Sequence, residues 1–311
     1  MKLGKDNPTF KYIKDLYKKN TRFILVDDLN SLNIALDFKY NINTFVYVDD
    51  IEYHEDTKRI IEKAASLANN SYTISKKMFE GFMSKDNSIG FLAFVEPKAL
   101  GFTDLKNKDF LVILDRLEIP GNIGTILRTM DACKADGMIV VDPISKLINP
   151  KMSQLSRGAN LIIPSIEASY EDTLKFLLDN DYDIFLGEPK LGLDYQAYDY
   201  NGKIAIVVGN ERFGINPDWY NHKSKKVYIP MEGHNNSLNV SVAASILIYE
   251  AYMKRKKWFI RITVFFYFFN AHLYAISINF LESNEAPPTN TPSTSGVATK
   301  DSTFCGLTDP P

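Results

Sequence analysis

Ile229-Pro230-Met231-Glu232-Gly233-His234-Asn235-Asn236-Ser237-Leu238-Asn239-Val240-Ser241-Val242-Ala243 carries a strand into a Gly- and Asn-rich loop that opens directly into a helix. Such a turn builds a ligand site from backbone. Ser237 or Asn239 can cap the helix, its first turn presents unpaired N–H groups, and Ala243 and Ala244 allow close packing. The ligand expected there is polar or anionic. Two earlier loops share the layout: Pro120 to Thr129 after the strand-like run Phe110 to Leu114, and Val207 to Ile215 after the strand-like Lys203 to Ala205. The three are expected to converge on one site.

The pattern around these loops is α/β. From Phe110 the expected order is strand (Phe110 to Asp115), helix (Ile123 to Lys134), strand (Met138 to Val141), short helix (Lys151 to Leu155), strand (Leu161 to Ile163) and helix (Glu171 to Asp179). Strands at Tyr182 to Leu186, Ile204 to Val208 and Val227 to Ile229 follow, then a helix at Val240 to Tyr252. Alternation of this kind predicts a mostly parallel sheet covered on both faces, with ligand at the carboxyl ends of its strands. The glycines of Pro120-Gly121-Asn122-Ile123-Gly124 lack the G-x-G-x-x-G spacing of a dinucleotide fold, which argues against a nicotinamide enzyme. Ahead of this region, Phe10 to Lys19, Leu29 to Phe38 and Asp56 to Leu67 read as helices, and Phe23 to Val26, Thr44 to Val48 and Ile89 to Val95 as strands. Pro97 to Asp109 reads as a linker.

Taken in order, the three loops resemble the SpoU/TrmH family of RNA ribose 2′-O-methyltransferases, a branch of the SPOUT superfamily. Its first motif, N-x-G-x-x-x-R, is matched by Asn122, Gly124 and Arg128. The second, G-[SN]-E-x-x-G, is matched by Gly209, Asn210, Glu211 and Gly214, and the third, I-P-M-x-G-x-x-x-S-L-N-V, by Ile229 to Val240 without a break. The resemblance covers about Lys106 to Lys256. It implies a C-terminal trefoil-knotted SPOUT methyltransferase domain (110–257), preceded by a small ribosomal-protein-like α/β RNA-binding domain (1–96) and the linker (97–109). It also implies S-adenosylmethionine as cofactor, an RNA partner with rRNA favoured over tRNA, a homodimer with the site completed near the subunit interface, and no metal.

Carried over by motif, the cofactor contacts are Leu186, Gly187, Gly209, Ile229, Met231 and Leu238, and the catalytic set is Asn122, Arg128, Glu211, Ser237 and Asn239. Each has a plainer reading as core, turn, capping or surface residue. The family model makes Arg128 the hydroxyl-activating group, yet a guanidinium is a poor base, and binding phosphate or developing alkoxide charge is the easier chemistry. Arg212 stands in the second motif where the family usually has a small residue. Two rival readings are a non-catalytic RNA-binding protein that retains the fold and a methyltransferase acting on a base.

Composition sets the outer bounds. The 311 residues suffice for two domains, and 45% apolar content fills ordinary cores. A net charge of −2 supplies no global attraction to nucleic acid, so RNA binding must rest on local clusters: Lys11, Lys14, Lys18, Lys19 and Arg22; Lys223, Lys225 and Lys226; Lys254 to Lys257. For any single cluster, a solvated face is the plainer reading. Cys133 and Cys305 form no zinc or disulfide pattern, the N-terminus lacks the apolar stretch of a signal peptide, and a cytoplasmic location is expected. After Lys257 the composition changes: 258–311 is an apolar segment followed by a Pro/Ser/Thr-rich end. A disordered tail ranks first for it, a packing helix second and a membrane anchor third.

Overall fold

Alternation of apolar residues along the central strands sets the architecture. In β5 (Phe110–Asp115), Phe110, Val112 and Leu114 enter one buried cluster, while Leu111 and Ile113 enter another on the opposite face. A strand buried on both faces must lie inside a sheet covered twice. The computed structural model describes residues 1–19, 22–81, 83, 89–149, 152–234 and 236–256. The expected tail 258–311, with Lys257, Lys151, Asn235 and Cys305, lies outside the described residues.

The larger sheet adds β6 (Gly137–Val141), β7 (Ser165–Ala168), β8 (Asp183–Gly187), β9 (Leu193–Asp194), β10 (Ile204–Val208) and β11 (Lys225–Tyr228). Its order is β7-β6-β5-β10-β8-β11-β9, and every pairing is parallel. Helices α6 (Pro120–Ala132), α7 (Met152–Ser156), α8 (Ala159–Ile162) and α10 (residues 240–256) contribute to one core, through Ile123, Ile126, Leu127, Leu247 and Ile248 among others. The other face is covered by α5 (Phe102–Leu105), α9 (Tyr170–Asp179) and the 3-10 helix Pro217–Asn221, whose Trp219 meets Tyr170 edge-on at 5.0 Å.

The smaller sheet joins β1 (Ile24–Val26), β2 (Ile42–Val48), β3 (Asn70–Ile74) and β4 (Phe91–Val95) in the order β1-β4-β2-β3. Helices α1 (Pro8–Lys19), α2 (Leu29–Asp37), α3 (Glu55–Leu67) and α4 (Lys76–Glu80) surround it. Phe10 and Ile13 of α1 join one of its cores, and Leu32, Ala35, Ile61 and Ala64 of α2 and α3 join the other. All described residues fall within one unit, Met1–Phe259.

Several expectations need correction. Leu161 to Ile163 is not a strand: Leu161 and Ile162 belong to α8, and the strand is β7, further on. An apolar run of three residues carries no period, so helix and strand are indistinguishable there. The expected linker holds α5, with Leu105 buried and Phe102 ring-packed on Phe176 at 4.9 Å. Strands β3 and β9 and helix α4 were not expected, being polar or very short. Helix α6 starts at Pro120, since proline fits a first helical turn, where its missing N–H is not needed.

Leu161 links the two sheets by packing into the core of the smaller one with Leu32 and Phe45. Beside it, Tyr40 Oη donates to the Leu161 carbonyl at 3.0 Å, Asn30 Nδ2 donates to the Arg157 carbonyl at 2.9 Å, and Gln154 hydrogen-bonds Asp27. Gly158 makes this close approach possible. Its φ is +85°, and a Cβ there would lie 2.8 Å from Ile34 Cδ1 and 3.0 Å from Ser31 Oγ. Gly158→Ala is therefore expected to lose about 1–3 kcal/mol of stability in urea unfolding. Gly202→Ala, at φ +70° with open space around it, should lose less. Equal losses would show that the seam yields without cost.

Candidate active site

The three loops singled out in the sequence leave the carboxyl ends of β5, β10 and β11, the edge where open parallel sheets hold ligands. Between them lies a cleft of about 470 Å³. Ile119, Val208, Ile215, Ile229, Leu238 and Leu247 supply apolar wall, while Glu188, Glu211, Arg212, Ser237 and Asn239 supply polar groups.

Glu211 ties the loops together. Its carboxylate accepts the N–H of Glu118 at 3.0 Å, the N–H of Ile119 at 3.2 Å and Nδ2 of Asn122 at 2.8 Å. Helix α6 has no side-chain cap of its own at Ile119, so an acid more than 90 positions away satisfies the donors at its entrance. Asn122 then uses Oδ1 to accept Nδ2 of Asn239 at 3.3 Å. Asn239 in turn caps α10, accepting the Ser241 N–H at 2.9 Å and the Ser241 hydroxyl at 2.7 Å through Oδ1. Helices α6 and α10 meet again where the Thr129 and Ser245 hydroxyls lie 2.8 Å apart.

The loop bearing Glu211 is itself closed. Asn210 and Gly214 exchange backbone hydrogen bonds at 3.0 and 2.9 Å, and Asn210 Oδ1 accepts the N–H groups of Arg212 and Phe213. A Cβ on Gly209 would stand 2.2 Å from the Gly214 carbonyl carbon and the Ile215 nitrogen, a fixed backbone contact that only glycine tolerates. The fully buried Asp115 holds the far side by accepting the Asn216 N–H at 2.6 Å and Arg116 Nε at 3.0 Å. Burial pushes its carboxyl above the ordinary aspartate range despite those donors. Asp115 and Asn210 were not among the expected site residues. Only tertiary pairing distinguishes Asp115 from any acid ending a strand.

The expected residues divide. Gly187, Gly209, Ile229, Met231 and Leu238 line the cleft, as do Glu211, Ser237 and Asn239. Leu186 does not: it is fully buried in the core beneath α9, because alternation along β8 turns it away from the cleft. Asn122 is buried behind the cleft wall. Arg128 is exposed on α6, outside the cleft lining, and its side chain makes no hydrogen bond or ion pair to the described residues. The basic clusters also divide. Lys225 pairs with Asp183 at 2.8 Å, and Arg255 Nη1 donates to the Tyr200 and Gly202 carbonyls, so both have structural partners. No group of His, Cys, Asp and Glu among the described residues could hold a metal, and no described helix is long and apolar enough to cross a membrane.

The state of Glu211 is testable by pH. Burial raises its carboxyl, but the donors from Glu118, Asn122 and Ile119 outweigh this and hold it below the usual glutamate value. A depressed folded value means the stabilisation is complete above the unfolded glutamate range and is lost as pH falls through the lower folded value. Glu211→Gln should therefore cost roughly 1–3 kcal/mol in chemical unfolding at neutral pH, and the gap should close on acidification. A gap that does not change with pH would remove charge from the account.

The SpoU rRNA Methylase family model matches residues 109–249. A protein of Staphylococcus saprophyticus described as a TrmH family tRNA/rRNA methyltransferase is 31% identical over 245 residues, covering 75% of this chain and 96% of its own. Among solved structures, an AdoMet-bound rRNA methyltransferase from Sinorhizobium meliloti superposes with a TM-score of 0.72 at 24% identity, over 81% of this chain and 97% of that one. An RNA 2′-O ribose methyltransferase superposes with a TM-score of 0.69 at 25% identity, over 82% and 99%. This chain belongs to the SpoU/TrmH family of RNA methyltransferases.

Proposed function

We propose that this protein transfers a methyl group from S-adenosylmethionine to a ribose 2′-hydroxyl of structured RNA, with rRNA favoured over tRNA. The observation that carries the reading is the hydrogen-bonded chain Glu211–Asn122–Asn239, which holds all three motif loops around one cleft. The family membership and the relative described as a 2′-O ribose enzyme support it.

The cleft suits such a donor. Its volume falls in the range of small-molecule sites, and residues 231–234 and 236–238 make no hydrogen bonds to the described residues, leaving a run of amide groups for a ligand. Gly187, Gly209, Ile229, Met231 and Leu238 would hold it, chiefly through backbone and apolar contact. When bound, the sulfonium supplies an electrophilic methyl group. The protein contributes orientation and exclusion of water. Glu211 is a poor proton acceptor, since its carboxylate already accepts three hydrogen bonds and is held ionised by them. Ser237, with no hydrogen bond to the described residues, is available to hydrogen-bond the incoming hydroxyl. A guanidinium keeps its proton, so Arg128 serves by binding phosphate or developing oxyanion charge.

Because Arg128 lies outside the cleft of its own chain, the reading includes a homodimer in which each Arg128 serves the partner's site. It also includes the trefoil knot of the family, with β11 inserted between β8 and β9 in support. The domain assignment is residues 1–96 for RNA binding and 110–257 for catalysis, acting in the cytoplasm. Lys11, Lys14, Lys18 and Lys19 on α1 favour that use of the first domain, since none has an ion pair among the described residues.

Tritiated methyl transfer to fractionated RNA tests the reading. The wild-type product should resist alkali at the labelled linkage, because a 2′-O-methyl group blocks attack on the neighbouring phosphate. Arg128→Ala should lose a hundredfold or more of the rate, on the order expected for an oxyanion-stabilising group, with cofactor binding retained. Equal labelling by both proteins would take Arg128 out of the reaction, and alkali-labile label would move the methyl group to a base.

A further inference from the structure

Phe213 is 76% exposed, although it belongs to a turn closed by backbone hydrogen bonds between Asn210 and Gly214. Its neighbours Arg212 and Gly214 both line the cleft, so Phe213 is an exposed residue beside the cleft and outside its lining. The Arg212 side chain is 74% exposed, and its guanidinium has a single ion pair among the described residues, to Glu118 at 3.7 Å. Ile119, half-exposed, adds apolar surface to the same mouth.

Leaving an aromatic ring in water forgoes burial of up to about 150–250 Å². The loop nevertheless holds it there firmly: the Phe213 N–H donates to Asn210 Oδ1 at 3.1 Å, and the Asn210–Gly214 hydrogen bonds close the turn behind it. A ring presented by a preorganised turn binds a partner at a reduced ordering cost. The choice of partner follows from the reaction. A ribose whose 2′-hydroxyl enters the cleft carries its base one glycosidic bond away, so that base must come to rest at the rim. Proteins hold unstacked RNA bases on aromatic faces and guanidinium planes, and they hold the flanking phosphate with cations.

We propose that Phe213 is the stacking platform for the base of the nucleotide being methylated, with Arg212 beside it to bind the flanking phosphate. The assignment rests on the ribose-methylation reading above. It gives a role to the position at which this chain departs from its family's usual small residue, and it makes recognition tolerant of base identity, because every base has a face to stack.

The experiment uses the full chain and an RNA fraction that the wild type methylates. Phe213→Ala should raise KM for RNA about tenfold or more, while Phe213→Trp should stay within a few-fold of wild type. Cofactor affinity by calorimetry should be unchanged in both, because Phe213 lies outside the cleft wall, and mass by light scattering should match the wild type. An unchanged KM in Phe213→Ala, a Trp variant as impaired as the Ala variant, or a loss of mass marking the ring as a subunit contact would each overturn the platform. These results are separate from failure of the ribose reading, which shows in the wild type alone as alkali-labile or absent label and would take the platform with it.

Discussion

One carboxylate organises the site. Glu211 accepts donors from Glu118, Ile119 and Asn122, and in doing so fastens the loop after β10 to the start of α6. Without it, the N–H groups at the entrance of α6 would lack an acceptor, and Asn122 would lose the partner that orients its amide. Because Asn122 passes the connection to Asn239, the cap of α10 depends on the same carboxylate. Networks of this kind are stiff when fully satisfied, which suits a site required to hold two reactants in line.

The arrangement also narrows the chemistry. A glutamate held ionised by three donors is a structural anchor and a poor base. The arginine of the first motif is directed outward, away from the cleft of its own chain. What remains in the cleft is apolar wall, backbone without hydrogen bonds to the described residues, the Ser237 hydroxyl, the capping amide of Asn239, Arg212 paired with Glu118, and Glu188 hydrogen-bonded by Tyr220. Such a set binds and orients, and in the reading proposed above activation of the hydroxyl falls to groups arriving with the RNA or from a second subunit.

The contact between the two sheets bears on substrate reach. With Leu161 in the core of the smaller sheet and Gly158 pressed on α2, the two are joined through packed side chains as well as through the chain itself. If the smaller sheet holds RNA, as proposed above, that RNA meets the cleft at a set distance, a geometric filter added to whatever the rim residues read.

The amino-acid order by itself determined the parallel α/β layering, through doubly apolar strands such as β5 and β10, and it pointed to three loops that border one cleft. Glycines and asparagines recur there at spacings suited to tight turns and helix caps. The part of the cleft lining drawn from the second and third loops was legible for the same reason, since a strand-end loop opening into a helix has few ways to fold. Only the tertiary structure decided that Leu186 turns into the core, that Arg128 faces outward, that Asp115 pins the segment at Asn216, and that Leu161 belongs to a helix serving the other sheet. Each of those outcomes depends on contacts between residues far apart in the chain, and neither periodicity nor residue type records which distant partner will arrive.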